Sequence, residues 1–192
     1  MKIYTKTGDK GKTSLYSGAR VAKNSATIEC LGSVDEINAS LGTAISLLPE
    51  EKVFHELRAE LILIQHVLFD LGAAIATPRS ANNEKKLKKT YFQDGAVEFL
   101  EQRMDWMTEQ LPKLTHFILP GGHPAAATIH IARSVCRRAE RGIIPLYEEK
   151  EIEEPVLIYL NRLSDYLFCA ARWINHLAKK SETIWEPHKT TT

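Results

Sequence analysis

Four arginines crowd one short stretch of this 192-residue chain: Arg133, Arg137, Arg138 and Arg141. On a helix, Arg133, Arg137 and Arg141 stack at i, i+4 and i+8 along one flank with His130 and Glu140, while Arg138 falls on the other side. Stacked guanidiniums repel one another unless something anionic lies over them, and their forked N–H donors suit phosphate oxygens. Two readings stay open from this helix alone: a phosphate site, or a solvated ridge paired with glutamates of a neighbouring element.

A second candidate lies near the N-terminus, in Thr5-Lys6-Thr7-Gly8-Asp9-Lys10-Gly11-Lys12-Thr13. Glycines let backbone N–H groups converge on an anion, and Lys and Thr add charge and hydroxyls. Gly11-Lys12-Thr13 matches the end of a Walker A loop, but the first glycine of that motif would fall on Lys6, so the segment is either a different phosphate cradle or a flexible basic terminus. Asp35 sits at the edge of an apolar stripe, where a carboxylate wants a counter-charge that the Arg ridge can supply; the alternative is a hydrated carboxylate just outside the core. Asn161, Asp165, Phe168 and Arg172 share the non-core face of the last helix, and an aromatic in that company suits a subunit contact or a large-ligand site. No HExxH, nucleophile elbow or GxGxxG is present, and the histidines at 116, 123 and 130 have no carboxylate at metal-ligand spacing, so a protein metal cage is not expected.

These residues need elements to position them. Residues 1–23 are polar and glycine-containing and read as an arm or loop. Apolar residues then recur at helical steps from Ala26 until Pro49, and again from Val53 to Ile75 before Thr77-Pro78. Residues 79–92 lack a period and read as a mobile surface connection with a solvated Lys run. A third helix spans about Val97–Leu111, and THFILPGG, residues 115–122, is a short apolar run closed by a turn. Pro124 opens a fourth helix to about Leu146, and Pro155 a fifth to about Lys180. The expectation is an all-α fold, a single domain over 1–192: an arm at 1–23 and an antiparallel five-helix bundle at 24–180, with no strand.

Composition narrows the function. Twenty-five Lys and Arg against 24 Asp and Glu give a net charge of +1, which offers no global attraction for nucleic acid or an anionic membrane. Cys30, Cys136 and Cys169 form an odd, widely spaced set, which fits a reducing compartment and excludes a disulfide scaffold. No apolar leader and no ~20-residue apolar span is visible, so the expected location is cytoplasmic.

Taken together, IYTKTGDKGKTSL at 3–15, GSVDEIN at 32–38, FILPGG at 117–122, ARSVCRRAER at 132–141 and YLNRLSDYLF at 159–168 resemble the PduO-type corrinoid (cob(I)alamin) adenosyltransferases, in order and over nearly the whole chain. The resemblance implies an up-down, ferritin-like five-helix bundle that assembles as a homotrimer, with ATP between adjacent subunits and cobalamin in a neighbouring apolar pocket. It places Thr5, Lys6, Thr7, Gly8, Asp9, Gly11, Thr13, Lys23, Arg137, Arg138, Glu140, Arg141 and Asn161 on ATP. On the cobalamin side it places Phe117, Asp35, Arg133, Asp165 and Phe168. Phe117 would close the lower face of the corrin, and Asp35 with Arg133 would form an intersubunit salt bridge; these two, Phe117 and Arg137 are the residues expected to carry the reaction. Two positions depart from the pattern: His123, where a small hydroxyl residue is commoner, and the 80–92 connection, which has no counterpart.

The reaction implied is attack of cob(I)alamin on C5′ of ATP, which releases triphosphate. Cob(I)alamin is itself the nucleophile, so the absence of a nucleophilic side-chain arrangement is consistent. Arg137, Arg141, Lys6, Lys10 and a nucleotide-bound Mg²⁺ would stabilise the departing charge. Phe117 would keep the lower axial ligand off cob(II)alamin and leave a four-coordinate, more reducible cobalt. A flavin-type reductase and an adenosylcobalamin-dependent enzyme would be its partners. Two rival readings, a nucleotide- and corrinoid-binding carrier and a structural helical oligomer, do not explain the arm and Phe117 together.

Overall fold

Apolar side chains at three- and four-residue steps generate the long helices. The computed structural model describes residue 4, residues 6–81 and residues 83–188. Its elements are β1 Lys12–Ser14, β2 Arg20–Ala22, α1 Ala26–Leu47, a 3₁₀ turn Lys52–Phe54, α2 His55–Ile75, α3 Glu84–Lys89, α4 Gly95–Gln110, α5 Pro124–Glu148 and α6 Glu154–Leu177. The described chain is therefore mostly helical.

α5 is the central helix, packed along α1 on one side and α6 on the other; α1 also packs on α2, and α6 on α4. Alanines at 125, 126, 132 and 139, all fully buried, let neighbours approach α5 closely, and Ile129, Val135, Cys136 and Ile143 complete its buried stripe. Pro124 lies in the first turn, where its missing N–H costs no hydrogen bond. His123 precedes it as the N-cap, its Nδ1 accepting from the Ala125 N–H at 3.2 Å, which gives this histidine a structural task. α1 ends before Pro49, and the Arg58 guanidinium closes that end by donating to the carbonyls of Ile45 (2.9 Å), Leu48 (3.1 Å) and Pro49 (3.3 Å). Asn38 and Gln65 tie α1 to α2: the Gln65 amide donates to Asn38 Oδ1 (2.9 Å) and to its backbone carbonyl (3.0 Å), and Asn38 Nδ2 donates to the Gln65 carbonyl at 3.1 Å. Between α2, α4 and α6, buried Glu60 accepts from Tyr166 Oη at 2.9 Å and pairs with Arg103, so its charge is compensated.

Three expectations need correction. The arm contains strand: β1 and β2 pair antiparallel, with Lys12 opposite Ala22 and Thr13 opposite Val21. Three-residue strands are too short to show a period. The 79–92 connection is not a featureless surface loop. It forms α3, capped by Asn83 Oδ1 accepting from the Lys86 N–H at 3.1 Å, and Phe92 beyond it is buried edge-on against Tyr159 at 5.3 Å. Nor is its Lys run wholly solvated, since Lys86 Nζ donates to the Tyr16 carbonyl at 2.8 Å. Third, Arg172 does not belong to an exposed face of the last helix; it is buried at 6% exposure, for reasons given below. All three cysteines are free, and no described helix is long and apolar enough to cross a membrane.

Candidate active site

The Arg ridge forms as its spacing requires. Arg137 and Arg141 are exposed on α5, and among the described residues neither makes a hydrogen bond or ion pair. Glu140 beside them is half-buried and accepts from Asn161 Nδ2 of α6 at 2.7 Å, so a carboxylate and an amide are fixed next to two unpaired guanidiniums. Arg138, on the opposite flank, pairs with Glu36 of α1. One turn earlier, Arg133 is half-buried with its Nε out of solvent and unpartnered. His130 is buried with Nδ1 also unpartnered, its ring 6.1 Å from Phe168. Burial, and then the Arg133 cation, hold the His130 pKa below 6.5 against a smaller opposing pull from Glu182, so the imidazole is neutral near pH 7.

The arm is ordered by its own backbone. The Gly11 N–H donates to the Gly8 carbonyl at 3.2 Å and the Lys23 N–H to the Gly11 carbonyl at 2.9 Å. Gly11 has φ +72°, a conformation that favours glycine. The Lys23 side chain crosses Gly8 so closely that an added Cβ would lie 3.3 Å from its Nζ. Arg20, which the sequence did not single out, donates to the Thr7 carbonyl at 2.8 Å and to Ser14 Oγ at 3.3 Å, stapling the loop to the hairpin. Lys6, Thr7, Gly8, Asp9, Gly11, Thr13 and Lys23 are thus gathered in one polar loop, while Thr5 lies outside the described residues. The arm is fixed to the bundle by the Ser17 N–H on the Ala76 carbonyl at the end of α2 (3.1 Å) and by Lys86 of α3 on the Tyr16 carbonyl.

Phe117 stands out from the core. It is 80% exposed, its ring edge-on to Trp185 at 6.4 Å, and with Ile118, Leu119 and Trp185 it forms an open apolar ledge. The Trp185 N–H donates to the Phe117 carbonyl and the Leu119 N–H to the Thr183 carbonyl, both at 2.8 Å, so the segment after α6 forms a single antiparallel bridge with this loop at Ile118 and Ile184. Two buried α6 residues hold the assembly. Arg172 Nε donates to Glu182 at 3.0 Å and its Nη2 to the Pro112 carbonyl at 2.9 Å. Asn175 donates to the Gly121 carbonyl (3.0 Å) and accepts from the His123 N–H (2.8 Å). Gly122 has φ +94°, and a Cβ there would lie 2.2 Å from Asn175 Oδ1. Asn175 and Trp185 were not flagged by the sequence because their partners lie far along the chain.

Asp35 is exposed on α1 at the edge of a groove with Leu31, Val34, Leu68 and Phe69, the last 72% exposed. Within one chain no ion pair joins it to Arg133 among the described residues. Asp165 is exposed and Phe168 half-buried on α6, beside His130. No group of three or more His, Cys, Asp or Glu among the described residues could hold a metal ion.

The family model for cobalamin adenosyltransferase matches residues 3–174. The chain belongs to this family. It is 48% identical over 175 residues to the corrinoid adenosyltransferase of Bacillus subtilis, covering 91% of this chain and 87% of that one. To the human corrinoid adenosyltransferase it is 46% identical over 184 residues, covering 96% and 73%. A solved variant of the PduO-type ATP:corrinoid adenosyltransferase from Lactobacillus reuteri, complexed with cobalamin and ATP, superimposes with a TM-score of 0.87 at 38% identity, covering 97% of this chain and all of that one.

Proposed function

We propose that the protein transfers the 5′-deoxyadenosyl group of ATP to the cobalt of cob(I)alamin, giving adenosylcobalamin and triphosphate. The observation that carries this reading is the pair Arg137 and Arg141, exposed and without counter-ions among the described residues, beside an Asn161-anchored Glu140, in a chain of this family. Unpaired guanidiniums fixed on a rigid helix are pre-organised to receive the negative charge that grows on a departing triphosphate. The Gly8–Gly11 loop with Lys6, Thr7, Asp9, Thr13 and Lys23 contributes further donors.

The arm and the ridge come from different subunits of a homotrimer built on the five long helices, so that each ATP is enclosed by two chains. Asp35 of one subunit then reaches Arg133 of the next and supplies a counter-charge to a guanidinium whose Nε has no partner among the described residues. Phe117 lies against the lower face of the corrin substrate with Trp185 extending the apolar ledge, and Asp165 and Phe168 border the same pocket. An apolar ring in that place offers cobalt no ligand and excludes water, so cob(II)alamin is held four-coordinate and becomes easier to reduce. A Mg²⁺ ion bound through the phosphates of ATP would share in neutralising the departing triphosphate. The reaction takes place in the cytoplasm, with a flavin-type reductase upstream and an adenosylcobalamin-dependent enzyme downstream.

The test is to supply cobalamin, a strong reductant and MgATP and to measure adenosylcobalamin spectrally and triphosphate by ion exchange. Stoichiometric formation of both is the expected result. Binding of ATP and corrinoid without turnover would replace the enzyme by a carrier. Light scattering checks the assembly, and full activity in a monomer of 21.7 kDa would remove the intersubunit site.

A further inference from the structure

Phe117 has little packing of its own to place it. At 80% exposure and edge-on to Trp185, its position follows from the backbone beneath it rather than from a socket around it. That backbone is anchored on one face of α6. Arg172 and Asn175 lie three positions apart there, ~4.5 Å along the helix axis, and both are buried. Arg172 holds the near end of the loop at the Pro112 carbonyl, and through Glu182 it holds the segment that bridges to Ile118. Asn175 holds the far end, beyond Phe117.

The Asn175 contact calls for a planar amide. One side chain donates to the Gly121 carbonyl at 3.0 Å and accepts from the His123 N–H at 2.8 Å, on either side of Gly122. An apolar residue in this buried place would leave both backbone groups unmet, which is costly, and the neighbouring Ala171 and Ile174 show that the bundle core itself asks for no polar group here. Gly122 wraps the turn around the amide in a conformation that favours glycine. His123 in turn caps α5, so the turn is locked between the start of α5 and the end of α6. The Leu119 N–H on the Thr183 carbonyl passes that restraint toward Phe117.

We propose that Asn175 is a positioning residue for the reduction of cob(II)alamin: by fixing the Gly121–His123 turn it sets the height of the Phe117 ring against the lower face of the corrin, and it acts through that ring alone. The proposal rests on the role given to Phe117 above and adds a residue that no sequence motif marks. Without the amide the turn loosens, the ring swings away from the cobalt, and a lower ligand returns.

The experiment compares Asn175→Ala, Phe117→Ala and the double variant, each as the full chain with MgATP. Electron paramagnetic resonance of bound cob(II)alamin reads the four-coordinate share from the cobalt g anisotropy, and turnover is measured from cob(II)alamin with a mild reductase and from pre-reduced cob(I)alamin. Asn175→Ala should lower the ratio of four-coordinate to ligand-bound cobalt, and the rate from cob(II)alamin, about 5- to 100-fold, the share of two hydrogen bonds, while the rate from cob(I)alamin and the KM for ATP stay within about 3-fold. The double variant should be no worse than Phe117→Ala, since Asn175 acts through the ring. A residue that merely stabilises the fold would lower both rates together with the amount of folded protein; that outcome, or additive losses in the double variant, overturns the proposal. Arg172 is the poorer test, because its removal leaves the Glu182 carboxylate without its partner. If Asn175→Ala does not fold, Asn175→Asp keeps the shape and the acceptor for His123 but gives up the donor to Gly121, and an unchanged four-coordinate share in that variant overturns the proposal as well. A selective cob(II)alamin defect in Phe117→Ala without one in the Asn175 variants removes the positioning role and leaves the ring's role standing. No selective defect in Phe117→Ala removes the ring's role and this proposal with it.

Discussion

Replacing Phe117 with alanine separates a chemical task from a packing task. A fully buried phenylalanine truncated to alanine costs ~3–5 kcal/mol of stability. Phe117 is 80% exposed, so about a fifth of a side chain that buries ~150–250 Å² elsewhere is at stake, roughly 30–50 Å² or ~1 kcal/mol at 25 cal/mol per Å². The edge-on contact with Trp185 adds ~0.5 kcal/mol, for a total of about 1–2 kcal/mol. Denaturant unfolding should therefore show a modest shift. Turnover should show something different. Supplied with pre-reduced cob(I)alamin, which has no lower ligand to displace, the variant should keep much of its rate; supplied with cob(II)alamin and a mild reductase, it should be severely impaired. Equal losses from both starting points, in proportion to a stability loss of ~3–5 kcal/mol, would refute the role given to the exposed ring.

The other expectations follow from single contacts. Arg137→Ala should fold normally, since the residue is exposed and has no hydrogen bond or ion pair to lose among the described residues, and should slow turnover ~30- to 1,000-fold, equivalent to ~2–4 kcal/mol of transition-state stabilisation; near-parental rates would remove it from the triphosphate. Asp35→Asn and Arg133→Ala should be strongly non-additive in the stability of the proposed trimer, measured by dilution, and additive effects would mean that the two side chains do not meet. Gly122→Ala, at φ +94° and against Asn175, should destabilise by ~1–3 kcal/mol in urea and disturb the Phe117 loop; an unchanged midpoint would contradict that packing. His130 is held neutral by burial and Arg133, so its contribution is fully present above pH 6.5 and is lost as the pH falls through its lowered folded pKa. Stability should decline on acidification below pH 6.5, less steeply in His130→Gln, and identical slopes would place the proton elsewhere.

The helices were legible because apolar period, proline and local turn chemistry act over a few residues. Pro124 and Pro155 mark the first turns of α5 and α6, and Pro49 follows the end of α1. The Arg ridge was legible for the same reason, because helical geometry alone stacks Arg133, Arg137 and Arg141. Other features depended on partners distant in sequence. Arg172 looked like a surface residue until Pro112, 60 positions away, and Glu182 satisfied its guanidinium and permitted burial. Asn175 reads as an ordinary polar residue, yet it braces the turn that carries Phe117 from more than 50 positions away. α3 has no apolar face to announce it, and Lys86 ties it to Tyr16 across 70 positions. Local sequence therefore determined which segments are helical and which charges share a face, because those follow from backbone geometry. Tertiary structure decided which polar groups are buried, which aromatic rings stand exposed and where cavities remain, because each depends on whether a partner arrives from elsewhere in the chain.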